Sequence, residues 1–166
     1  MRRQDKLVIA AAIAVNGMTG AYLPPALAQD PTANAPTPIQ AQEVKKALSD
    51  PSIVSAGERS FIKCQACHMV GEKAQRRVGP PLNGVVGRAA GLSAGFAYSA
   101  GMQATAKNGL VWTVEKLDAY IQSPREVVPA TSMAFVGISK PDERKALIAY
   151  LASFAADGSR RDVANK

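Results

Sequence analysis

One five-residue run restricts this chain more than any other feature: Cys64-Gln65-Ala66-Cys67-His68. Two thiols stand three residues apart with an imidazole directly behind the second, the spacing that attaches a c-type haem covalently. Residues three apart on a helical turn share a face, so both sulfurs can reach one porphyrin edge while His68 turns its ring to the iron. The chain has no other cysteine and no other histidine. A structural zinc site would want a second pair of such ligands. A thioredoxin-like dithiol would want a strand before it and a helix after it in a βαβ pattern, which is not present. A disulfide between the two thiols would close only a small, isolated loop.

At 166 residues the chain is one domain plus extensions. Aromatic residues make up only 5% of it, so a bound macrocycle would supply core that the side chains do not. The net charge of +7 raises the question of nucleic acid, but there is no basic run with interleaved aromatics and no nucleic-acid motif. A basic surface that steers an acidic protein partner is the better reading of that charge.

The first 28 residues have the layout of an export signal. Arg2, Arg3 and Lys6 precede an unbroken apolar run from Leu7 to Val15, too short to span a bilayer comfortably. Ala26-Leu27-Ala28 is a small-x-small triplet that suits a signal peptidase, with an uncleaved anchor as the alternative. Cleavage removes Arg2, Arg3, Lys6 and Asp5 and leaves a net charge of +5. Export to the periplasm agrees with the motif, because bacteria attach c-type haem outside the cytoplasmic membrane. Residues 29–49 carry Pro31, Pro36 and Pro38 among Ala, Thr, Asn and Gln and are expected to be a flexible leader.

Residues 50–158 are expected to form the folded domain, with 159–166 as a polar tail. Asp50-Pro51 suits a helix start, and a helix to about Lys63 would bring Gly57 and Phe61 to one face. Glycine inside a helix costs about 1 kcal/mol against alanine, so close approach of another helix is its expected reason. The partner would be the last helix, starting at Ser139-Lys140-Pro141-Asp142 and carrying Leu147, Tyr150, Leu151 and Phe154 as a stripe until Gly158. A third helix is expected from Thr113 as cap to Ser123, stopped by Pro124. Between Gly71 and Gly109 no periodicity is sustained, a loop length that needs something to organise it.

A single histidine leaves methionine as the natural donor for the second face of the iron. Met1 and Met18 leave with the signal, and Met69 is too near His68 to cross over. Met102 and Met133 remain. Met133 is favoured, because it follows Pro124 and Pro129 in a segment that no helix claims.

Beyond the haem motif, the chain carries Val78-Gly79-Pro80-Pro81-Leu82, Gly87-Arg88, Gly95-Phe96-Ala97-Tyr98, Trp112, Tyr120, Ser123-Pro124 and Pro129-Ala130-Thr131-Ser132-Met133-Ala134-Phe135. From Gly57 to about Phe154 it resembles the class I cytochromes c, in particular the small bacterial carriers close to mitochondrial cytochrome c. The resemblance implies an all-α fold with crossing N- and C-terminal helices, a further helix, and long loops wrapped around one covalent haem c. It implies that Cys64 and Cys67 bind the haem and that His68 and Met133 ligate its iron. Pro80 would offer its carbonyl to the His68 ring. Arg88, Tyr98 and Trp112 would surround a buried propionate, and Tyr120 and Thr131 would hold Met133.

The function so implied is that of a single-haem electron carrier, not an enzyme and without a small-molecule substrate. Its partners would be acidic-surfaced redox proteins: a quinol-oxidising bc complex, a terminal oxidase, a reaction centre or a periplasmic dehydrogenase. A monomer is expected. Lys63, Arg125 and Lys140 occupy positions where mitochondrial-type carriers ring the haem edge with lysines, but Glu126, Ser132 and Ser139 replace positive residues. The rival is a five-coordinate haem protein that binds gas or peroxide. In one such group, cytochrome c prime, the motif lies near the C-terminus, unlike Cys64 here.

Overall fold

The computed structural model describes residues 37–161; residues 1–36, with the expected export signal at 1–28, and residues 162–166 lie outside them. The first helix, α1, spans Pro38–Ala47. The Thr37 hydroxyl caps it by accepting from the Gln40 amide at 3.2 Å, Pro38 fills its first position, and Lys45 and Lys46 sit in its last turn, facing the negative end of the helix dipole.

Order therefore begins at least a dozen residues before Asp50, where a flexible leader was expected. The helix is docked. Val44 is buried, Gln40 Nε2 donates to the Gly84 carbonyl at 2.8 Å, and the Glu43 carboxylate accepts from the Val114 amide at 2.6 Å. Val44→Asp should lower stability by about 2 kcal/mol, the value of burying a Val side chain. Urea unfolding of the haem-loaded protein checks this, and a change under about 0.5 kcal/mol, as at a plain surface site, would mean that α1 is not held.

Asp50 accepts from the Ser52 amide, and Pro51 opens a 3-10 turn, Pro51–Ile53. Helix α2, Val54–Ser60, follows and tightens into a second 3-10 turn, Phe61–Lys63, that delivers Cys64. The last helix, α6, spans Pro141–Ala152 and is buried along most of its length, as befits a central element. It crosses α2 at Gly57, where an added Cβ would lie 2.0 Å from the Ala146 carbonyl oxygen. Phe61 and Tyr150 pack beside the crossing with ring centroids 5.4 Å apart.

Both ends of α6 differ from expectation. Lys140 is the cap residue of α6, and no side chain in Ser139-Lys140-Pro141-Asp142 caps it. The Ser139 carbonyl instead accepts from Arg144 Nη1 at 2.8 Å. The helix stops at Ala152, and Gly158, at φ +89°, belongs to a later turn. Beyond that turn, Arg160 pairs with Phe154 in an isolated bridge and lays its guanidinium over the Tyr150 and Phe154 rings.

The remaining helices are α3, Ala100–Lys107, α4, Val114–Gln122, and the short α5, Pro124–Val127. Thr113 caps α4 as expected, and Leu117, Tyr120 and Ile121 are buried on its inner face. Pro124 ends α4 but also opens α5. Helix α3 was not expected; Ser99 caps it by accepting from the Met102 amide at 3.2 Å. Arg144 ties α4 to α6, holding Asp118 through Nε at 2.8 Å and Nη2 at 3.0 Å. Among the described residues there are no strands, and no helix is long and apolar enough to cross a membrane.

Candidate haem site

The end of α2 winds directly into the attachment turn, where the Cys67 and His68 amides donate to the Cys64 carbonyl at 3.0 and 2.9 Å. A loop over residues 77–82 is fastened beneath it: the Gly79 amide donates to Cys67, and Leu82 to Met69, both at 2.9 Å. Gly79 lies so flat on the imidazole that an added Cβ would be 2.3 Å from His68 Cε1. This brings the Pro80 carbonyl to 2.7 Å from His68 Nδ1. A carbonyl can only accept, so Nδ1 carries the proton and the Nε2 lone pair is left for a metal. Burial pushes the imidazole below its ordinary pKa, against the opposing pull of the Pro80 carbonyl, and so favours the neutral form that ligates.

Cys64 and Cys67 are both unbridged. Burial first, and the neighbouring Cys67 second, push the Cys64 thiol up to about 11. A thiol whose pKa is raised by burial, as that of Cys64 is, is the opposite of the low-pKa nucleophile that the redox reading of the motif would want.

These residues open onto a cavity of about 260 Å³. All ten candidate residues line it: Cys64, Cys67, His68, Pro80, Arg88, Tyr98, Trp112, Tyr120, Thr131 and Met133. Arg88 and Trp112 are brought together by a backbone clasp in which Gly87 donates to Trp112, Trp112 to Arg88 and Ala90 to Leu110, each at 2.8 Å. Trp112 in turn packs on Tyr120, with centroids 4.8 Å apart. The Tyr98 hydroxyl accepts from the Ser93 amide at 3.1 Å.

Arg88 tests the fit of a haem. Its Nη1 donates to the Asn83 carbonyl at 3.0 Å, but its Nε is buried with no partner. Burial lowers its pKa, with Tyr98 opposing. A buried guanidinium with an open donor wants an anion, and a haem propionate is one. The apolar walls, the paired thiols, the oriented imidazole and this orphaned donor fit the macrocycle together.

Both methionines reach the cavity, and this was not legible for Met102. Met102 comes from α3 and is buried in the core. Beside it, Gly101 is pressed onto the Met133 loop, where an added Cβ would meet the Pro129 carbonyl oxygen at 1.9 Å. Met133 is half-buried on a loop that its neighbours shape. The Thr131 hydroxyl accepts from the Met133 amide at 3.2 Å and lies 3.2 Å from the Tyr120 hydroxyl. Farther along, Ile138 donates to the Ile121 carbonyl at 3.0 Å. Gly79 and Gly101 were missed as site residues; the run Gly79-Pro80-Pro81 was the signal for the first.

The chain is 46% identical over 106 residues to cytochrome c2 of Afifella marina, a match spanning 64% of this chain and 86% of that protein. It is 44% identical over 105 residues to cytochrome c-550 of Nitrobacter winogradskyi, spanning 63% and 94%. The solved structure of cytochrome c2 from Rhodospirillum centenum superposes with a TM-score of 0.58 at 39% identity, covering 61% of this chain and 98% of that one. No protein-family model matches the chain. These relatives favour a carrier over a gas- or peroxide-binding protein. With one covalently attached haem c and a role in passing single electrons between redox partners in place of bond chemistry, this chain belongs to the class I c-type cytochromes.

Proposed function

We propose that this carrier works in the periplasm as a monomer. In this reading residues 1–28 are cleaved, Cys64 and Cys67 bond the haem, and His68 and Met133 ligate its iron. The observation that carries the site assignment is the Pro80 carbonyl at His68 Nδ1, which leaves Nε2 as the ligating atom. The haem, when bound, supplies a one-electron couple between ferric and ferrous iron.

The chain's own part is to hold that couple still and dry. Pro80 fixes the ring and tautomer of His68 and raises its basicity. Arg88, Tyr98 and Trp112 give a buried propionate donors in place of water. Thr131, supported by Tyr120, sets the direction of the Met133 main chain. A rigid pair of ligands leaves no open position for substrate and little to rearrange when an electron arrives. The acceptors and donors in this reading are acidic-faced redox proteins, among them a quinol-oxidising bc complex, a terminal oxidase, a reaction centre or a periplasmic dehydrogenase.

Optical spectra of the exported protein test this. A weak far-red sulfur-to-iron band in the ferric form, with no ready uptake of carbon monoxide by the ferrous form at neutral pH, is the expected result. Absence of the band together with rapid carbon monoxide binding would contradict the closed, methionine-ligated site.

A further inference from the structure

Helix α1 lies ahead of residues 50–158, where the folded domain was expected, yet it is fastened to both chain segments that carry Arg88 and Trp112. Its inner face repeats at helical spacing: Gln40, Glu43, Val44 and Ala47 are buried or half-buried, while Ile39, Ala41, Gln42 and Lys45 are exposed. The two polar residues of that face both hold main chain.

Gln40 reaches the first segment. Its Nε2 donates to the Gly84 carbonyl at 2.8 Å, and its Cα lies so close to Gly87 that an added Cβ there would be 2.4 Å away. Gly84, Val85, Val86 and Gly87 are all buried, and Arg88 follows directly. Glu43 reaches the second segment. Its carboxylate accepts at 2.6 Å from the amide of Val114, the first residue of α4 and two residues past Trp112. Between these two holds lies the clasp in which the Gly87 amide donates to Trp112 and the Trp112 amide to Arg88, each at 2.8 Å.

We propose that α1 is a brace for the propionate end of the haem site, with Gln40 and Glu43 as positioning residues that fix Arg88 and Trp112 relative to each other. The proposal rests on the reading of Arg88, Tyr98 and Trp112 as donors to a buried propionate. Arg88 is the member that needs such support. Its one hydrogen bond among the described residues runs from Nη1 to the Asn83 carbonyl, and its buried Nε has none, so its direction depends on where the main chain puts it. A guanidinium turned out of line bonds a carboxylate less well. A propionate so left carries more uncompensated negative charge near the iron, which favours the ferric form and lowers the potential.

Redox titration of the haem-loaded full chain tests the brace. Gln40→Ala combined with Glu43→Ala should lower the potential by about 40 mV, a roughly fivefold shift of the ferric–ferrous equilibrium at 59 mV per tenfold for one electron. The sign is diagnostic, because loss of the Glu43 charge alone removes an anion and would raise the potential. Gln40→Ala by itself, which leaves Val44 and Glu43 in place, should move the potential in the same downward direction. Glu43→Gln keeps an acceptor for the Val114 amide and should recover most of the fall caused by Glu43→Ala. Amide exchange at Gly87 and Trp112 in the ferrous protein should be roughly tenfold faster in the double variant, as the clasp opens more readily.

In an Arg88→Gln protein, whose own potential should already be lower, the same pair of substitutions should add little, since residues that act through one another are not additive. A merely structural α1 would lower stability in urea and leave the potential unchanged, and that result overturns the proposal. So does a rise in potential, or an undiminished further fall in the Arg88→Gln background. An Arg88→Gln protein with the parent potential overturns the propionate reading itself, and the brace with it.

Discussion

Met133→Ala is expected to give a protein that folds and binds haem but has lost its sixth ligand. The far-red band disappears, carbon monoxide binds the ferrous form, weak peroxidase activity appears, and the potential falls on the order of 0.1 V or more, against the roughly 0.8 V that axial ligands span. The argument lies in where the two candidate thioethers start. Met133 comes from a loop held by Thr131, Tyr120 and the Ile138–Ile121 hydrogen bond, so its side chain is placed by its surroundings. Met102 is a buried helical residue in the core cluster. Its replacement by alanine should leave the spectrum unchanged and cost about 2–3 kcal/mol through the cavity it creates. Optical titration of both variants decides the matter, and the reverse pattern would move the ligand to Met102.

Gly57→Ala is expected to produce a large loss of stability for a single added methyl group. The new Cβ would sit 2.0 Å from the Ala146 carbonyl oxygen and 2.7 Å from Tyr150 Cβ, so α2 and α6 would have to move apart. Both are helix positions that cannot retreat as a flexible side-chain end can. Overpacking of this kind costs about 3 kcal/mol or more, and alanine's helical advantage of about 1 kcal/mol offsets only part of it. Because α2 runs straight into Cys64, the displacement should also reach the attachment turn and lower the yield of haem-loaded protein. Glu58→Ala, one residue on and exposed, should stay within about 0.5 kcal/mol of the parent. Urea denaturation of the two holoproteins makes the comparison, and equal stabilities would refute the close crossing.

Much of this arrangement was legible where the cause is local. The thiol spacing at Cys64 and Cys67, the Thr113 cap of α4 and the pairing of Gly57 with a late apolar helix each leave a direct mark in the sequence. Other features depend on partners far along the chain. Residues 38–47 read as leader because the stretch around them is rich in proline, alanine and small polar residues, although Thr37-Pro38 is a helix start; the helix is held by Gly84, Val114 and α6. Helix α3 was obscured by Gly101, which is glycine because the Pro129 carbonyl lies against it. Arg160 likewise lies on two aromatic rings of the last helix region, a contact that its own neighbours in sequence do not announce. Lys63 shows the same limit in the site: its pairing with Glu143, eighty residues on, leaves no mark in the local sequence.

The most direct test is the intact mass, under denaturing conditions, of protein secreted from a host able to mature c-type cytochromes. The account predicts residues 29–166 plus one haem that survives denaturation, and loss of that added mass when Cys64 and Cys67 are both replaced by alanine. A bare polypeptide would contradict it, from the thioether bonds to the carrier role.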